Sequence, residues 1–135
     1  MVTSMLSSRL ILWNLQENSL FMLRIYHNPK CAKSREGLKY LLDKGYEFET
    51  ILYLDKTIAD EELKTLLMKL NLKPVQVIRM QEEQYRKELK GRKFTDEEWI
   101  KIITNNPKLL QRPIVEGKYK AVIAIPPDKI EELNK

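Results

Sequence analysis

Apolar and polar positions along this chain change period several times, and each change marks an element. Leu23, Ile25 and Tyr26 form a short β-favouring run that ends at His27-Asn28-Pro29-Lys30. Behind it Ala32, Leu38, Tyr40, Leu41 and Leu42 fall at helical spacing, and Gly45 stands where a helix C-cap is expected. Glu47 to Tyr53 alternates loosely and is rich in β-formers, which predicts a second strand. A connection of this length between the two strands implies a parallel β-α-β pair.

The middle of the chain, about 57 to 110, reads as helical. Leu63, Leu66, Leu67 and Leu70 line one face behind an acidic first turn, predicting a packing helix over Thr57 to Asn71. Val75 to Met80 fits helix or strand equally well. Gln81 to Lys90 is expected to be a helix with Tyr85 and Leu89 turned inward. Thr95-Asp96-Glu97-Glu98 is a capping box, and the helix it opens, with Trp99, Ile102 and Ile103 at helical spacing, should end near Asn105-Asn106. After that block, Gln111 to Val115 predicts a strand, Glu116-Gly117-Lys118 a hairpin turn, and Tyr119 to Ala124 the return strand. Pro126-Pro127 stops it, and Asp128 to Leu133 should close with a short helix. The order is α/β: β-α-β, an inserted helical block, then β-β-α. With a cysteine after the first strand and a proline opening the third, it resembles the thioredoxin-like plan.

Composition changes little in this picture. The 135 residues suit one domain, and 43% hydrophobic with 32% charged residues describes an ordinary globular chain. A net charge of +5 comes from basic residues interleaved with acids, so nucleic-acid binding is not expected. One cysteine excludes an internal disulfide and any multi-cysteine metal site, and fits a reducing, cytoplasmic setting. The run Leu10-Ile11-Leu12-Trp13 is too short to span a membrane. Residues 1–21 are expected to be an N-terminal extension, disordered or loosely attached, with Met22 as the natural start and 22–135 as the domain.

The chemistry concentrates at Cys31. A thiolate, not a thiol, is the nucleophile, and the unpaired N–H groups of a first helical turn favour the anion. Lys30, Lys33 and Arg35 add positive charge within one turn. A lone cysteine is often an inert buried residue, but these flanks do not describe a core position.

The segment from His27 to Arg35, then Arg79, then Gln111-Arg112-Pro113-Ile114-Val115 resembles the glutaredoxin-linked arsenate reductase family and its Spx-like relatives. The likeness spans Met22 to Lys135. It implies Cys31 as the nucleophile that attacks arsenate, with glutathione or a similar small thiol as co-substrate and glutaredoxin reducing the resulting mixed disulfide. It further implies that His27 helps hold the thiolate, that Arg79 and Arg112 bind the oxyanion, and that Pro113 is a cis proline turning the Arg112 backbone toward the thiol. Asn28, Lys33, Ser34, Arg35 and Pro113 are the expected substrate-binding residues. No bound cofactor or metal is implied. Ser34 fills the second position of Cys-x-x-Ser, so an external thiol must resolve Cys31.

One departure stands out. Where the family's reductases carry a third arginine before a proline, this chain has Ile125, a loss worth on the order of 1–3 kcal/mol of dianion binding. Exchange on another disulfide or oxyanion would suit Ile125 better than arsenate itself. The alternative reading is an Spx-like regulatory protein that binds RNA polymerase without turnover; Ser34 in place of a second cysteine argues against a disulfide switch of that kind.

Overall fold

The computed structural model describes residues 22–134; the expectation for residues 1–21 lies outside them. Strand β1 (Leu23–Tyr26) leads through the His27–Lys30 loop into helix α1 (Ala32–Asp43), and β2 (Phe48–Ile51) returns parallel to β1. Strand β3 (Ile114–Glu116) lies antiparallel on the other side of β1, and β4 (Ala121–Ile123) pairs antiparallel with β3. The sheet order is β2-β1-β3-β4, the thioredoxin-like plan. Between β2 and β3 run α2 (Asp60–Leu70) and α3 (Asp96–Asn105) with shorter helical turns.

Strand periodicity divides the interior. Ile25 and its partner Val115 face one side, where they pack with Leu41, Ala124 and Ile130. Tyr26 and its partner Ile114 face the other, against Leu63, Leu66, Trp99 and Ile103 of α2 and α3. Helix α1 ends close to where its sequence suggests, one residue earlier than expected. Lys44 is the C-cap, Gly45 follows at φ +74°, and the Gly45 and Tyr46 N–H groups donate to the carbonyls of Leu42 and Leu41. The capping box on α3 is complete: the Glu98 N–H donates to Thr95 Oγ1 at 3.1 Å, and the Thr95 N–H to Glu98 Oε1 at 3.0 Å.

Three expectations need correction. The polar run Gln81–Lys90 is helical only over residues 83–89, and most of that is a wide π turn, Tyr85–Leu89, with Leu89 buried and Tyr85 only partly so. Residues 81–84 carry no apolar face, and Glu82 is drawn to arginine side chains instead. The strand predicted from Gln111 begins at Ile114, because Pro113 has no N–H to give a ladder. Glu116 is not a turn residue: it ends β3 with only 4% exposure, and the turn is carried by residues 117–120, closed by the Gly117 N–H on the Lys120 carbonyl at 2.7 Å.

Buried Glu116 is held by charge. Lys69 Nζ of α2 reaches its Oε2 at 2.8 Å and also donates to the Gly117 carbonyl at 3.0 Å. The Tyr26 hydroxyl is shared between Glu116 Oε1, at 3.2 Å, and Glu62 Oε2, at 3.1 Å. Burial, reinforced by those two carboxylates, pushes the Tyr26 phenol far up, so it remains a donor.

Helix α1 rests directly on the loop before β3. A Cβ on Gly37 would stand 2.6 Å from Pro113 Cγ, a ring atom with no freedom to swing away. Gly37→Ala is therefore expected to lower stability by about 1–3 kcal/mol despite alanine's better helix propensity, read as a fall in the denaturation midpoint.

Candidate active site

Cys31 is the N-cap of α1, in extended conformation (φ −98°, ψ 123°). Its sulfur stands where a capping oxygen usually accepts from the N–H groups two and three residues on, here those of Lys33 and Ser34. A neutral thiol is a weak acceptor and forms no such cap. Burial pushes the Cys31 thiol up, but the Ser34 N–H, the Arg112 guanidinium and the Lys33 N–H together outweigh it and hold the thiol below its ordinary value.

The loop that carries the cysteine is tied to itself. The Asn28 carbonyl accepts from the Cys31 N–H at 3.0 Å, and Asn28 Oδ1 accepts from the Lys30 N–H at 3.0 Å. Ser34, fully buried, takes the Asn28 N–H on its hydroxyl at 2.9 Å and lies 2.7 Å from His27 Nδ1. His27 is thus placed on Ser34 rather than on the sulfur, and it positions the loop whose N–H groups face the thiol. Burial lowers its pKa, with Arg35 adding to the effect, so at neutral pH the ring is uncharged. Ser34 turns its hydroxyl inward, away from any substrate. Arg35 donates to the Pro29 carbonyl at 2.9 Å, a loop tie rather than a lining position. Of the five residues expected to bind substrate, Asn28 and Lys33 border the clefts at Cys31, and Ser34, Arg35 and Pro113 do not.

Two distant arginines arrive by a pairing that local pattern does not disclose. The ambiguous segment resolves into a short turn (Pro74–Val77) followed by an isolated antiparallel bridge between Ile78 and Leu110. The Arg79 N–H donates to the Leu109 carbonyl at 2.7 Å and the Gln111 N–H to the Val77 carbonyl at 2.8 Å, so Arg79 and Arg112 leave the same small ladder side by side. Arg112 is 8% exposed; its Nη1 donates to the Lys108 carbonyl at 2.9 Å and its Nη2 lies 3.7 Å from Glu82 Oε1. Arg79 Nη1 pairs with the same Glu82 oxygen. The Arg112–Pro113 peptide bond is cis, as is Ile125–Pro126.

Two clefts meet at the sulfur. The first, about 360 Å³, is cationic, with Lys33, Arg79, Arg112 and Lys129 around Cys31 and Ile125 in its wall. The second, about 670 Å³, runs past His27, Lys30, Leu54, Asp55, Glu82 and Lys108. Both contain Cys31, Arg79 and Arg112. Among the described residues no cluster of three His, Cys, Asp or Glu side chains could hold a metal, and no helix is long and apolar enough to cross a membrane.

The profile of the ArsC family matches residues 26–133. The chain belongs to the ArsC family. It is 38% identical over 113 residues to the uncharacterised protein YfgD of Escherichia coli K12, covering 82% of this chain and 95% of that one. It is also 38% identical over 111 residues to an arsenate reductase of Haemophilus influenzae, covering 81% and 96%. Among solved structures, an arsenate reductase from Vibrio cholerae superposes with a TM-score of 0.78 at 36% identity, over 84% of this chain and 98% of that chain.

Within this ArsC-family chain, Glu82, Lys129 and Tyr53 also stand at the site, although local sequence pattern does not single them out. Tyr53 is wholly buried, and its hydroxyl, like Arg112 Nε, has no hydrogen-bond partner. Burial pushes the phenol up to about 12, against the charges of Arg112 and Arg79, so it keeps its proton. Its only advance signal was a tyrosine in a strand-like run.

The pH dependence of Cys31 alkylation follows from this geometry. Its midpoint should lie below that of a free thiol, and Arg112→Leu, which removes the guanidinium beside the sulfur, should move it upward. At any pH below the midpoint each unit of upward shift lowers the thiolate fraction about tenfold, and the alkylation rate with it.

Proposed function

We propose that this protein is a thiol-dependent oxidoreductase that reduces arsenate or an oxyanion of similar shape, with glutathione and glutaredoxin as the reducing partners. The observation that carries the reading is one activated thiol at a helix N-terminus, in a cationic cleft lined by two arginines. The naming of relatives as arsenate reductases supports the choice of substrate.

In this mechanism the Cys31 thiolate attacks arsenic(V), and one arsenate oxygen leaves as water after protonation. Arg79 and Arg112 neutralise the charge on the remaining oxygens. A glutathione thiolate then attacks the Cys31 sulfur, forming the Cys31–glutathione disulfide and releasing arsenic(III). The two electrons that reduce arsenic come from the two thiols, and glutaredoxin returns Cys31 to the thiol. With Ser34 buried against His27, no neighbouring side chain competes for the resolving step.

The test is turnover of arsenate with glutathione and glutaredoxin, alongside protection of Cys31 from alkylation by arsenate. Arsenite production with protection supports the reading. A low thiol pKa without protection would discard arsenate and leave disulfide exchange, and an unshifted, slow thiol would discard catalysis by Cys31 altogether.

A further inference from the structure

Both arginine forks at the sulfur are already engaged by one carboxylate. Glu82 Oε1 pairs with Arg79 Nη1 and lies 3.7 Å from Arg112 Nη2, and its side chain, one-quarter exposed, forms part of the larger cleft. Local geometry holds it there: the Glu82 N–H donates to the Arg79 carbonyl at 3.1 Å, so a tight turn brings the carboxylate back over the arginine three residues earlier. Arg112 comes from a separate segment to meet the same oxygen. Its Nε is buried with no hydrogen-bond partner, a donor that the protein leaves unmatched. Two cations and one anion give this part of the site a net charge of one.

We infer that Glu82 is a specificity-determining residue, an internal counter-ion that competes with the incoming oxyanion and biases the site toward singly charged ligands. The inference rests on the reading that the cleft at Cys31 receives an oxyanion. An anion that takes the arginines must displace the carboxylate or lie beside it, and the repulsion from Glu82 grows in proportion to the ligand's charge. In free-energy terms the penalty for a dianion is about twice that for a monoanion of the same shape. The ratio of affinities therefore changes as a square: where removing the charge of Glu82 tightens a monoanion about threefold, it should tighten a dianion about tenfold.

Sulfate and perchlorate test this, because both are tetrahedral and neither changes protonation between pH 6 and pH 9, a range of about three units around neutrality. Each is titrated at constant ionic strength as a protectant of Cys31 against alkylation, in the wild-type protein and in Glu82→Gln, with Glu82→Ala as a second variant and circular dichroism to show that both are folded. The expected result is a gain of about tenfold for sulfate and about threefold for perchlorate in both variants. Unchanged or weaker sulfate binding would overturn the inference and make Glu82 a brace for the arginines, and so would equal gains for the two ions. Arsenate turnover is measured in parallel. Absent turnover with the expected ion selectivity removes only the arsenate reading; turnover with no protection by either ion in any of the proteins removes only the inference.

Discussion

Cys31→Ser is expected to abolish arsenate turnover, lowering it by at least about a thousandfold, while leaving the fold intact. Every feature described around residue 31 acts on an anion. The Ser34 and Lys33 N–H groups and the Arg112 guanidinium stabilise a thiolate, and a serine hydroxyl remains protonated in the same field. No second thiol can substitute, since the chain has one cysteine. Serine is also a favourable N-cap residue, so the helix should not suffer. The measurement is arsenite production with glutathione and glutaredoxin, with thermal melting as the control for folding. Residual activity near the wild-type level would show that Cys31 is not the nucleophile.

Lys69→Ala is expected to lower stability by about 3–5 kcal/mol. It strips the nearer cation from Glu116, whose side chain is 5% exposed, and also the donor to the Gly117 carbonyl. Arg24, 3.8 Å from the other carboxylate oxygen, is half in solvent and does not replace it. The effect is read from chemical denaturation. A second variant separates the charge from the packing: Lys69→Met with Glu116→Leu removes both charges and should recover most of the loss, because what costs free energy is the uncompensated buried carboxylate. If Lys69→Ala alone were nearly neutral, Arg24 and the Tyr26 hydroxyl would be sufficient partners for the Glu116 carboxylate.

The contrast between these two residues shows what a sequence discloses. The environment of Cys31 was legible because it is local: strand, loop, cysteine and helix are contiguous, and helix polarity needs only the chain's own backbone. The capping box at Thr95–Glu98 and the glycine after α1 are legible for the same reason. Glu116 was misread as a turn residue because glutamate next to Gly117-Lys118 has the local signature of a hairpin tip, and the lysine that permits its burial lies 47 residues earlier. Arg79 and Arg112 were found through the family resemblance. Their meeting depends on a single bridge, Ile78 to Leu110, that neither segment advertises. Glu82 sat in a run that looked like an exposed helix face, and only the convergence of two distant arginines gives it a role. His27 and Ser34 flank the cysteine loop, and their hydrogen bond to each other turns both toward the scaffold rather than the ligand.

The meeting of two clefts at one sulfur bears on traffic through the proposed cycle. A catalyst whose reactive atom lies at the bottom of a single pit must empty it before the next reactant arrives. Here Cys31, Arg79 and Arg112 border both clefts, so the small anion and the larger thiol of the proposed cycle need not share one approach to the sulfur.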